Sequence, residues 1–75
     1  MTEITRYDMI EGKTYTYINK TKKEKYICTL TNKSTFEAIL RYSGGLISPT
    51  MTFINSAEPG GYWAESSDED LAEVL

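Results

Sequence analysis

The chain has no histidine, and Cys28 is its only cysteine. Without histidine there is no imidazole base, no histidine-containing triad and no imidazole metal ligand. A single cysteine cannot close an intrachain disulfide or build a thiolate zinc site. No metal or organic cofactor is therefore expected. Long apolar runs are missing too: none approaches the roughly 18 residues of a spanning helix. Met1-Thr2-Glu3-Ile4 lacks the basic and apolar regions of an export signal. A free thiol without an export signal is expected in the cytoplasm, and there Asn19-Lys20-Thr21 and Asn32-Lys33-Ser34 read as turn residues rather than glycosylation sequons. The adjacent acids Asp68-Glu69-Asp70 read as helix-start residues, since glycosidic chemistry needs two carboxylates facing each other across a cleft. Gly44-Gly45 and Gly60-Gly61 lack the Lys and Ser/Thr of a phosphate loop. The chain is not expected to be an enzyme.

What remains is a small aromatic-rich chain. Its 75 residues have room for one domain, 1–75. With disulfide and metal ruled out, a chain of this size needs a well-packed core or a partner chain, a homodimer included. Six tyrosines and one tryptophan supply much burial area for so short a sequence.

Period-two alternation dominates. Lys13 to Asn19 sets Tyr15 and Tyr17 on one face, with Thr14, Thr16 and Ile18 on the other. A polar turn leads into Glu24 to Thr31, where Tyr26, Cys28 and Leu30 share a face, and the two runs read as a β-hairpin. Cys28 is then a buried core thiol. Thr35 to Ser43 puts Phe36, Ala38, Leu40 and Tyr42 on one side and Glu37, Ile39 and Arg41 on the other. Its Glu-Ala-Ile-Leu-Arg centre also suits a helix, but its flanks and the Gly44-Gly45 stop favour a strand. Pro49 opens a short edge strand over 50–54, residues 55–61 form a loop, and 62–65 form a last strand. Ile4 to Ile10 adds a strand or irregular cover, and Gly12 marks a tight turn. The tail, 66–75, is an acidic helix. Ser66 and Glu69 have capping-box spacing, and Leu71, Val74 and Leu75 form an apolar stripe that would dock. The class is mainly β: a small antiparallel bent sheet or barrel with a short C-terminal helix.

Charge is segregated along the chain. Residues 1–12 hold Arg6 against three acids, residues 13–41 hold seven bases against Glu24 and Glu37, and residues 42–75 hold six acids and no base. The segments carry −2, +5 and −6. Two binding readings follow. In the favoured one the domain binds a protein through its acidic end, Tyr62, Trp63, Glu65, Asp68, Glu69 and Asp70, with the aromatics as anchors. Trp63 is alternatively a core residue. In the other, Lys20, Lys22, Lys23 and Lys25 at the hairpin tip contact nucleic acid, with tyrosines stacking on bases. The overall negative charge argues against that.

Gly12-Lys13-x-Tyr15, the basic tip Asn19-Lys20-Thr21-Lys22-Lys23-x-Lys25-Tyr26, and Tyr62-Trp63 before an acidic end give the chain a loose resemblance to very small bacteriophage and prophage accessory proteins. Some of these resemble SH3-like barrels. The resemblance implies a viral protein acting in the host bacterial cytoplasm by binding a host protein. It would modulate or inhibit that protein in host takeover or anti-defence. A nucleic-acid-binding or defence enzyme is one such target.

Overall fold

The hairpin read from the alternation of tyrosines, threonines and lysines is present in the computed structural model, which describes residues 3–44, 51–53 and 60–74. Strand β2 (Thr14–Asn19) pairs antiparallel with β3 (Glu24–Asn32), Tyr17 facing Tyr26 and Tyr15 facing Cys28. The turn between them is tied by the Asn19 side chain, whose Oδ1 accepts from the Lys22 amide at 3.0 Å. Asn19 is 1% exposed, so it is a structural turn residue and no glycan acceptor. Around this pair lie β1 (Glu3–Ile4), a 3-10 turn at Arg6–Asp8, β4 (Glu37–Ser43), β5 (Met51–Phe53), β6 (Gly61–Glu65) and helix α1 (Asp68–Glu73). The six strands form one antiparallel sheet in the order β1-β6-β2-β3-β4-β5. Its outermost strands, β1 and β5, do not pair with each other among the described residues, so the sheet is open. Pro49 and residues 55–59 of the expected 55–61 loop lie outside the described residues; Gly60 is in a turn, and Gly61 belongs to β6 rather than to the loop.

The sheet is bent. The molecule as a whole, helix and 3-10 turn included, measures 29 × 27 × 24 Å. Bulges contribute to the bend: the β3–β4 register shifts between Ile27 and Cys28 and again between Leu30 and Asn32. The concave face carries the core, made of Met9, Tyr15, Tyr17, Cys28, Leu30, Ala38, Leu40 and Trp63. An aromatic row crosses it where Trp63, Tyr17 and Tyr26 stand opposite one another on three strands, with Ile4 beside Trp63 on a fourth. Tyr17 lies 5.1 Å from Trp63 and stacks parallel to Tyr26 at 6.1 Å, centroid to centroid. Burial pushes the Cys28 thiol up to about 12, so it stays protonated and unreactive.

One facing differs from expectation. Tyr42 pairs with Ile27 while Leu40 pairs with Cys28, leaving Arg41 as the extra residue. The bulge turns Tyr42 onto the convex face, away from Ala38 and Leu40. Strict alternation read from sequence carries no information about an inserted residue.

Candidate interaction surface at the C-terminal helix

The convex face has its own buried row. Ala64, Thr16 and Ile27 stand opposite one another on β6, β2 and β3, and all three are fully buried. Helix α1 is anchored at the centre of this row. Ser67 is its N-cap, with Oγ accepting from the Asp70 amide at 3.2 Å while the Asp70 carboxylate accepts from the Ser67 amide at 3.1 Å. The capping box is therefore Ser67 with Asp70, one residue later than the expected Ser66 with Glu69.

That shift makes Asp70, rather than Glu69, the acid of the cap, and Asp70 is also the residue that docks. The expected stripe does not face the sheet: Leu71 is 39% exposed and Val74 is half-buried, while Leu75 lies outside the described residues. The one buried residue of α1 is Asp70, 2% exposed. Its Oδ1 accepts from Lys25 Nζ at 2.6 Å and its Oδ2 from Thr16 Oγ1 at 3.0 Å. Because the single Thr16 proton goes to the carboxylate, Ser66 Oγ must donate to Thr16 Oγ1, 2.8 Å away. Glu73 adds a second carboxylate to Lys25 at 3.5 Å.

Burial alone would raise the Asp70 carboxyl, but Lys25, the Ser67 amide and the Thr16 hydroxyl together outweigh it and hold the group below its ordinary value. The hydrogen bond to Asp70 in turn raises Lys25 against its own desolvation.

The residues expected to meet a partner thus separate. Trp63 lies in the aromatic core at 9% exposure and Asp70 is locked to Lys25, so neither presents a side chain to a partner as folded. Tyr62 is half-buried, facing Ile18 across β6 and β2. Glu65 is exposed and pairs with Lys13 at 3.1 Å. Asp68 and Glu69 are exposed beside Leu71. Of the four tip lysines, Lys25 is engaged by the helix, while Lys20, Lys22 and Lys23 are exposed.

A second surface feature left no signal in the sequence. The Arg6 guanidinium lies 4.7 Å from the Phe36 ring centroid and 5.3 Å from that of Tyr7, and the two rings meet edge-on at 5.6 Å. Tyr7 and Ile10 are the most exposed large hydrophobic side chains among the described residues. Phe36 sits at φ +55°, a left-handed conformation strained for an aromatic residue. Phe36 is too far in sequence from the adjacent Arg6 and Tyr7, and those two lie in too irregular a segment, for any periodicity to unite them.

No group of three or more metal-ligating side chains occurs among the described residues. Among them, no helix is long and apolar enough to cross a membrane. In comparison with known proteins, no family model, curated protein or solved structure matches the chain.

Proposed function

We propose that the chain is a small non-enzymatic module that binds another protein through the outward face of α1, with Asp68, Glu69 and Leu71 at the contact. One observation carries this reading: α1 is docked by a carboxylate and leaves its leucine partly exposed. A helix held only for its own stability buries its apolar side chain. The reverse arrangement leaves an apolar contact flanked by two acids on a rigidly anchored turn. Such a face suits a partner with a basic surface around an apolar recess. The loose likeness to bacteriophage accessory proteins supports the narrower reading, a modulator or inhibitor of a bacterial host protein acting in the host cytoplasm.

The test is affinity capture from nuclease-treated bacterial lysate, followed by reconstitution with the purified captured protein. The combined variant Asp68→Lys, Glu69→Lys, Leu71→Ser should lose the partner while Lys20→Glu with Lys23→Glu keeps it. Loss of every partner on nuclease treatment would reject the proposal.

A further inference from the structure

We propose that α1 is a built-in competitor for a polyanion: its carboxylates occupy the basic β2–β3 hairpin where the phosphates of single-stranded nucleic acid would otherwise bind. This goes beyond the protein-binding reading and does not rest on it.

The case begins with Lys25. It is the one tip lysine placed inside strand β3, and two carboxylates of α1 converge on it, Asp70 Oδ1 at 2.6 Å and Glu73 Oε2 at 3.5 Å. A lysine ammonium that attracts carboxylate oxygens is equally suited to neutralise a phosphate of nucleic acid. Lys20 and Lys23 lie in the turn two to five residues away and are exposed. The acid of the same hairpin, Glu24, accepts from the Tyr26 hydroxyl, which leaves Asp70 and Glu73 as the carboxylates set against Lys25. The segment 68–75 contains four acids and no base, so its charge alone changes the whole chain from +1 to the observed −3. Asp70 and Glu73, the two that meet Lys25, supply half of that negative charge and place it against the hairpin.

The docking is also of a kind that can be exchanged. Asp70 both caps α1 and ties it to the sheet, and a six-residue helix has little stability of its own. When the carboxylates leave Lys25, α1 loses its ionic ties to β3, and three lysines, Lys20, Lys23 and Lys25, stand on one tip.

Binding of a fluorescein-labelled oligo-dT to the unaltered chain and to D70N/E73Q tests this at low ionic strength. D70N/E73Q should bind about tenfold more tightly or better, with a log–log salt slope steepened by about 0.7 for each additional phosphate engaged. Adding K25Q should abolish the improvement. D68N/E69Q makes the same change in net charge on the outward face and should bind far less tightly than D70N/E73Q. Equal improvement in the two double variants would overturn the proposal, because net charge alone would then explain it. So would unchanged binding in D70N/E73Q with its sheet intact by NMR. If D70N/E73Q does not fold, E73Q against E69Q repeats the comparison, since both side chains are at the surface. On the unaltered chain, saturating oligo-dT should shift the amide signals of Asp70 and Glu73 to disordered positions. Binding that leaves those signals in place contradicts the competition.

Discussion

Asp70, itself buried, accepts from Lys25, Thr16 and Ser67, so its loss removes the nearer carboxylate from Lys25, the acceptor of the Thr16 proton and one half of the helix cap. Asp70→Ala should destabilise the fold by about 2 kcal/mol, less than for a pair buried on both sides because Lys25 keeps access to water. Urea denaturation against the unaltered chain measures it. Gly61 is the second residue with a definite prediction. A Cβ there would run into the Tyr17 ring, which is fixed between Tyr26 and Trp63. Gly61→Ala should cost about 1–3 kcal/mol by overpacking, read as a lowered midpoint in the same denaturation. Neither role was legible in the sequence, where Asp70 is one acid of three in a row and Gly61 one glycine of a turn pair. Each depends on what the chain brings opposite, on β2 in both cases.

Among the elements, β2 and β3 were legible because half-buried strands write their two faces as a period of two. The helix was legible as a helix but in the wrong frame. Ser66 and Ser67 both precede an acid at the third position, and local spacing cannot choose between them. The sheet decides, because Thr16 and Lys25 are placed to receive Asp70 and have no such geometry for Glu69. The consequence is a pH signature for one element. A carboxyl held below its ordinary value of 3.8 stabilises the fold above that pH and ceases to as pH falls through the lowered value. Lys25 is held above 10.5 and keeps its charge until pH rises past that. Docking of α1 should therefore be constant from about pH 5 to pH 9 and be lost below pH 3.8, earlier than the sheet. Amide chemical shifts of residues 68–74, followed against those of β2 and β3, check this.

For the whole molecule, charges separated along the chain are partly brought together in space. Lys25 meets Asp70 and Glu73, and Lys13 meets Glu65. The cause is topological: β6 inserts between β1 and β2, carrying the acidic end beside the basic hairpin. Strand existence can be read from alternation, but strand order across a sheet cannot, which is why the charge pattern alone suggested two independent surfaces. The fold joins them in one helix that faces the hairpin with Asp70 and Glu73 and solvent with Asp68, Glu69 and Leu71. Everything proposed for this protein requires that helix to be held by Asp70. Amide hydrogen exchange of residues 68–74 at neutral pH, in the unaltered chain and in Asp70→Asn, tests it most directly. The account predicts slowed exchange at Leu71 in the unaltered chain and its loss in the variant, with β2 and β3 unchanged. Equal exchange in the two proteins would contradict it.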